Sequence, residues 1–314
     1  MEEPRARNGS VGMEHTSCAV CGAEEHDLLF ESGDRRHPLP GTFAMVRCRA
    51  CRHVYLNPRP DPETLPMYYP EEYSPHCLGS RWRRRLTQAL RRAEARSFAR
   101  RLPSGAILLE VGCASGDSLE ALRHWGVHAI GVEPSPRAAA AARAKGLDVR
   151  CGVLEDVPLE QDRLDAIMMR AVLEHVPDPL GDLARAHALL KPGGLLLLGT
   201  DNCAGLDCRL FGQDWYGFDV PRHLNLFSPE SLGAVLERVG FSEPEVRYTL
   251  VPTHWIVSLR YRLERRFGKS RLWDTLHAMN PIALAFFLPV AFAQRLLGNG
   301  GRVWLISRKK APVR

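Results

Sequence analysis

The chain has 314 residues, enough for one sizeable domain plus a smaller module. Its 45% hydrophobic and 25% charged content is that of an ordinary globular protein, which excludes a wholly disordered chain. The net charge of +6 is unevenly spread. It gathers between Arg81 and Arg101 and again from Arg260 to Lys269, two clusters that read equally as solvated helix faces or as contacts with anionic lipid, nucleotide or nucleic acid.

In chain order, residues 1–17 are polar and Gly-containing with no apolar signal core, and are expected to form a disordered tail. Without an export signal the nine cysteines read as metal ligands and reduced thiols rather than a disulfide framework, so a cytoplasmic location is expected. Residues 18–79, rich in Cys, Pro and Tyr, suit a metal-stapled module. Residues 80–103 read as a basic linker helix in which Leu86, Leu90, Ala93 and Leu102 recur at near-helical spacing and arginines fill the other face, stopped by Pro103-Ser104-Gly105.

From residue 104 to 314 the pattern becomes that of alternating strands and helices. Apolar runs at 106–111, 128–132, 164–169 and 195–200 predict strands, and 118–125, 136–145 and 180–190 predict helices. That order gives a parallel sheet covered on both faces. A further helix is predicted over 228–239, with Ser228 as cap and Pro229 in the first turn. Strands follow at 245–250 and 302–307. Between them lies a helical insertion, 252–298, basic first and apolar later; its longest apolar run is broken by Pro289 and is too short to span a membrane.

Cys18-Ala-Val-Cys21 and Cys48-Arg-Ala-Cys51 form two CxxC knuckles. Two residues between thiols let both sulfurs reach one ion while amides of the turn donate to them, and Gly22 suits the tight turn that follows. Cys18, Cys21, Cys48 and Cys51 are therefore the expected ligands of a closed, structural zinc ribbon. Buried or redox cysteines are the alternative. His37 and His53 are expected to be non-ligands, since four thiolates complete the shell.

Leu108-Leu-Glu110-Val-Gly112-Cys113-Ala114-Ser-Gly116-Asp117 follows a predicted strand and opens a helix. Its glycines permit a sharp turn at the carboxyl edge of the sheet. The dinucleotide pattern is broken by Ala114, and no GK[ST] follows for a triphosphate. The segment resembles motif I of the class I S-adenosylmethionine-dependent methyltransferases. Glu133 and Pro134 stand where that family ends its second strand with a ribose-binding acid, and a carboxylate can accept from both hydroxyls of a vicinal diol. Val153-Leu154-Glu155-Asp156 stands at the family's adenine segment, with Val153 replacing an acid. The segment from Arg170 through Leu173-Glu174-His175-Val-Pro177-Asp178-Pro179 and the turn Lys191-Pro192-Gly193-Gly194 complete the resemblance.

The resemblance implies a Rossmann-like, seven-stranded, mostly parallel α/β sheet and S-adenosylmethionine as cofactor. It carries cofactor contact onto Glu110, Gly112, Cys113, Ala114, Gly116, Asp117, Glu133, Pro134, Val153, Leu154 and Arg170. A narrower resemblance, carried by the two knuckles, Leu56-Asn57-Pro58-Arg59-Pro60, Tyr68-Tyr69-Pro70-Glu-Glu-Tyr73, Trp215-Tyr216, Pro221-Arg222-His223-Leu224 and Phe227-Ser228-Pro229, is to zinc-ribbon methyltransferases of sugar, cell-surface glycan and secondary-metabolite pathways. The ubiquinone-type O-methyltransferases resemble the core only.

Methyl transfer to a hydroxyl needs a base, and His223 and His175 are the candidates. Arg222 reads as an anion-binding group or a surface ion pair, and Trp215 and Tyr216 as stacking or core residues. The insertion reads as a lid, a homodimer contact or a peripheral membrane surface. The expected reaction is methylation, at oxygen, of a small-molecule or sugar acceptor. An RNA methyltransferase is the alternative, disfavoured because Arg170-Ala-Val-Leu173-Glu174-His175 lacks the Asn-Pro-Pro-Tyr pattern; nucleic acid is thus not an expected partner. A non-catalytic binding protein on the same fold is the third reading.

Overall fold

The computed structural model describes residues 12–70, 81–156, 158, 160–278 and 280–311, with side chains omitted for 81–86. The end of the expected ribbon module (71–79) and most of the expected tail lie outside the described residues. The tail reading needs one correction. Met13–Glu14 is a strand, β1, held by the Arg59 guanidinium on the Glu14 carboxylate (2.7 Å) and by Asn57, which accepts from the Thr16 amide (2.9 Å).

The N-terminal segment continues with β2 (His26–Ser32), β3 (Phe43–Cys48), β4 (Val54–Leu56) and β5 (Arg59–Pro60). A long helix, α1 (Arg81–Ala99), leads into the main unit. This runs β6 (Ile107–Val111), α2 (Asp117–His124), β7 (His128–Glu133), α3 (Pro136–Arg143), β8 (Asp148–Cys151), β9 (Leu164–Arg170), α4 (Pro179–Leu189) and β10 (Leu190–Asp201). Then come α5 (Leu206–Phe211), β11 (Asn225–Leu226), α6 (Pro229–Val239), β12 (Glu245–Tyr248), α7 (Pro252–Phe267), α8 (Arg271–Asp274), α9 (Pro281–Leu296) and β13 (Arg302–Arg308).

Seven strands form the main sheet in the order β12-β13-β10-β9-β6-β7-β8, with β13 antiparallel to both its neighbours and the other pairings parallel. The strands read as apolar runs because both faces are covered. Leu108, Ala166, Met168, Leu195 and Leu197 point to one side, where Ala95 and Phe98 of α1 and Leu122 of α2 meet them. Leu109, Ile167, Met169, Leu196 and Leu198 point to the other, against Leu183 of α4 and Leu236 of α6. The two-residue alternation assigns each side chain its layer.

Helix starts follow local chemistry. Ser135, Asp178 and Ser228 each accept an amide of the first turn, and each is followed by a proline at the start of the helix. One strand of the main sheet escaped the sequence reading. β8 is an edge strand with only Val149 buried, so its Asp-Val-Arg-Cys sequence carries no apolar run.

The N-terminal strands are not an autonomous unit. β11, from beyond the main sheet's fifth strand in sequence, joins them to complete a four-stranded sheet, β11-β4-β3-β2. Phe43, Met45, Leu56 and Tyr68 share a core with Trp215, Phe218, Leu226 and Trp255, the last of these from α7. The segment is thus clamped between the end of the main sheet and the helical insertion. Among the described residues no helix is long and apolar enough to cross a membrane.

Candidate active site

The loop after β6 is built on three left-handed residues, Gly112 (φ 68°), Ala114 (φ 48°) and Gly116 (φ 78°). Glycine is required at two of these positions for space as well as for backbone conformation. A Cβ on Gly112 would lie 2.7 Å from the Val172 methyl, and one on Gly116 would lie 2.3 Å from Leu147. Ala114 tolerates its conformation because its amide donates to the Glu133 carboxylate (2.8 Å). The other oxygen of Glu133 accepts from the Ser135 amide (2.9 Å). The carboxylate at the end of β7 is therefore fixed in orientation, and each oxygen keeps a further lone pair for a ligand donor.

Glu110, on β6 in register with Gly131, is buried, and burial raises its pKa to about 7 against the opposing pull of Arg170. Its Oε2 has no hydrogen-bond partner among the described residues. An orphaned buried carboxylate oxygen beside a glycine turn suits a ligand carrying an ammonium group, which S-adenosylmethionine does. The segment at 152–156 is brought to the same edge by the Gly152 amide, which donates to the Glu133 carbonyl (3.0 Å).

The other residues named from sequence occupy distinct places. The Cys113 side chain is buried beneath the loop, 2.5 Å from where a Cβ on Gly131 would stand. Leu154 is packed in the core and offers only its backbone, whereas Val153 is 49% exposed. Asp117 is taken by Lys145 (2.6 Å). Pro134 follows β7 at the strand edge, and its carbonyl is 3.9 Å from the Cys151 sulfur. Arg170 is turned toward α1, where Glu94 binds its guanidinium (2.7 Å) and Trp304 stacks beneath it at 4.9 Å.

Beyond the ends of β9 and β10 lies a second cluster. Atoms of Glu174, His175 and His223 fall within 4.8 Å of one another, and the two imidazole rings are edge-to-face at 4.7 Å. The Glu174 and His223 side chains are buried. His223 Nδ1 donates to the Gly217 carbonyl at 2.7 Å. That bond fixes the tautomer and leaves Nε2 as the lone-pair nitrogen. Glu174 accepts the Thr200 hydroxyl on one oxygen (3.0 Å), while the other is buried with no partner among the described residues.

Burial raises the Glu174 carboxyl, and it holds His175 down to about 3 with His223 adding to the effect. His175 Nδ1 lies 3.0 Å from both the Tyr69 hydroxyl and the Arg222 carbonyl. Asp201 and Asp219 also face His223. Burial opposes their ionisation, but Arg302 brings Asp201 to about 2, and His223 with Arg222 keeps Asp219 well below the usual carboxylate range.

The sequence reading of Arg222 is corrected, and of the two readings of Trp215 the core one holds. Arg222 is fully buried rather than a surface group or an open anion site: Asp34 grips it at 2.7 Å on two nitrogens and Asp219 at 2.8 Å. Trp215 is a core residue, donating from its ring nitrogen to Asp207 (2.8 Å). Tyr69 and Glu174 were quoted only within longer motifs. The Glu-His adjacency was a usable signal for Glu174, but nothing local marks Tyr69, which meets His175 from 106 positions away.

The four knuckle sulfurs converge, with Cys18–Cys51 and Cys21–Cys48 each 3.5 Å apart. Sulfurs on a tetrahedron around an ion at 2.3 Å would be separated by about 3.8 Å. The Cys51 amide points at the Cys48 sulfur (3.5 Å). His53 bonds Asn225 of β11 (3.1 Å), and His37 donates its amide to Asp34 (2.9 Å).

This strand order, with a glycine turn after β6 and an acid ending β7, defines a class I methyltransferase fold. A family model described as a methyltransferase domain matches residues 80–243, and the chain belongs to that methyltransferase family. It is 38% identical over 163 residues to a ubiquinone biosynthesis O-methyltransferase of Xylella fastidiosa, a match covering 48% of this chain and 66% of the relative. A Cereibacter sphaeroides protein of the same name is 30% identical over 192 residues, covering 56% and 77%. Among solved structures, one chain of the Haloferax volcanii complex containing the Trm112 methyltransferase activator superposes with a TM-score of 0.50 at 17% identity, covering 74% of this chain and 95% of that one. It shares the fold. The N-terminal strands and the 252–298 insertion lie outside the family match.

Proposed function

We propose that this S-adenosylmethionine-dependent methyltransferase methylates a hydroxyl of a small-molecule acceptor, with His223 as general base. The cofactor would lie across the 112–116 turn, its ribose on Glu133, its amino group toward Glu110 and its adenine near Val153. It supplies an electrophilic methyl on a sulfonium, so alignment of the acceptor oxygen contributes most of the acceleration.

The observation that carries the role of His223 is its bond to the Gly217 carbonyl, which leaves Nε2 free to accept a proton. Glu174, Asp201 and Asp219 surround the ring and would stabilise the imidazolium that results. His175, held neutral, would orient the acceptor side through Tyr69 and Arg222 rather than take the proton. The names of the relatives favour oxygen as the atom methylated, and a phenol is one acceptor of that kind. A sugar hydroxyl fits the same chemistry, and a panel containing both acceptor types would separate them.

Cys18, Cys21, Cys48 and Cys51 would hold a structural zinc ion, in the cytoplasm where thiols stay reduced. The decisive experiment is transfer of labelled methyl to the panel by the native protein and by His223→Gln. Cofactor affinity equal in the two, with turnover lost only in the variant, supports the assignment. Undiminished turnover in the variant removes His223 as base.

A further inference from the structure

Helix α9 reverses the usual pattern of a surface helix. From Pro281 to Leu297 every exposed position is apolar except Arg295. Ile282 is 80%, Phe286 70%, Leu296 71% and Leu297 76% exposed, and Leu288 and Phe292 add to the same side. At helical spacing these positions form one continuous stripe about half the circumference wide.

The opposite face is already committed. Ala283, Ala291 and Gln294 are buried, Phe287 stacks against Trp255 of α7, and Gln294 accepts from the Trp255 ring nitrogen (2.8 Å) while donating to Asp207 (2.7 Å). These bonds fix the rotation of α9, so its apolar stripe stays outward. Phe267, the last residue of α7, and Leu272 of α8 are exposed as well.

We propose that this face docks on a bilayer surface containing anionic lipid. The charge pattern selects that occupant. Between residues 265 and 297 stand Arg266, Lys269, Arg271 and Arg295, Arg265 being taken by Asp214 (2.9 Å), against a single acid, Asp274, whose carboxylate is paired with Arg260 (2.9 Å). A second copy seated stripe to stripe would bring the same basic rim against itself. A bilayer supplies an apolar layer for the stripe and anionic headgroups for the rim. With 16 residues and an internal proline, α9 would lie in the interface rather than cross it.

Docking would also orient the enzyme. Through Gln294, α9 is tied to Asp207; through His254 of α7, Asp207 (3.1 Å) is linked to Asp201 (3.5 Å) at the end of β10. The surface and the acceptor side of the sheet are thus parts of one rigid joint.

The test is flotation of the full-length, metal-replete protein with vesicles of phosphatidylcholine, alone or with about a third phosphatidylglycerol. We expect flotation with the anionic vesicles, weakened by salt, and little with the neutral ones. Phe286→Ser and Leu296→Ser should each weaken partitioning about tenfold, with cofactor affinity unchanged as the control for folding. Neither vesicle carrying the protein overturns the proposal. So does equal binding to both vesicles, or a dimer that these substitutions split. The readout needs no turnover, so its failure would leave the methyltransferase assignment standing.

Discussion

Replacing Arg222 with methionine tests how the two halves of the site are joined. Its guanidinium is completely buried and shared by Asp34 of the N-terminal segment and Asp219 of the loop before His223, with the Tyr68 carbonyl accepting a further bond (3.2 Å). Methionine keeps much of the volume and none of the donors. Asp34 would retain the amides of Arg36 (3.0 Å) and His37 (2.9 Å), and Asp219 the Arg36 guanidinium (2.9 Å). Removing one partner of a buried pair costs about 3–5 kcal/mol. Two buried carboxylates lose a cation together here, so the upper end applies. In a chain of 314 residues, whose unfolding entropy is about 0.7 kcal/mol/K, that is a fall in Tm of roughly 7–8 °C.

Urea denaturation should show a lower midpoint for Arg222→Met with an unchanged slope. Calorimetry on the folded variant should show cofactor affinity near that of the native protein, because the 112–116 turn does not touch this cluster. Turnover should drop, since the Arg222 carbonyl holds His175 and the next residue is His223. Combining the change with Asp34→Asn should cost less than the sum of the two alone. An unchanged midpoint, or strict additivity, would refute the shared clamp.

Three other outcomes are expected. Glu133→Ala should weaken S-adenosylmethionine binding about 10- to 100-fold, the worth of charge-assisted bonds, and Gly112→Val should abolish it by collision with Val172; titration calorimetry with both variants unchanged would contradict the cofactor site. His175, at about 3 in the fold and about 6.5 when unfolded, takes up a proton on unfolding between those values. Its contribution is therefore complete above about pH 6.5 and lost as pH falls, about 2 kcal/mol by pH 5; stability measured against pH should fall less steeply in His175→Gln, and an identical slope would show that the ring titrates normally. Elemental analysis should find one zinc per chain, and a chelator should lower the thermal midpoint; metal-free protein of full stability would remove the ion from the argument.

The turn after β6 and the acid that ends β7 were legible because their signals are local. The turn from Gly112 to Gly116 and the acid at Glu133 each sit at the end of an apolar run, so strand, turn and ligand group are read from neighbouring residues. The knuckles are legible for the same reason. β8 was missed because an edge strand with one buried residue leaves no periodic trace. Arg222 was misjudged because its partner Asp34 is 188 positions away, and no pattern near Pro221-Arg222-His223 distinguishes a buried clamp from an exposed arginine. Tyr69 and β11 escaped for the same reason. Their meaning depends on contacts across the whole chain.

That contrast carries a consequence for specificity. Residues 80–243, the part shared with the family, contain the donor turn and the Glu174-His175-His223 cluster, which are chemistry common to many acceptors. From outside that span come Tyr69, against His175, and Asp34, on Arg222, both of the N-terminal segment, and His254 of α7 beside Asp201. The shared core of Phe43, Met45, Leu56 and Tyr68 with Trp215 and Trp255 makes these two additions one body. The turn after β6 is braced instead by Leu147 and Val172, within the main sheet's own layers. Under the proposed function the residues about His223 and the 112–116 turn are thus held by different cores, and a substitution in one need not displace the other.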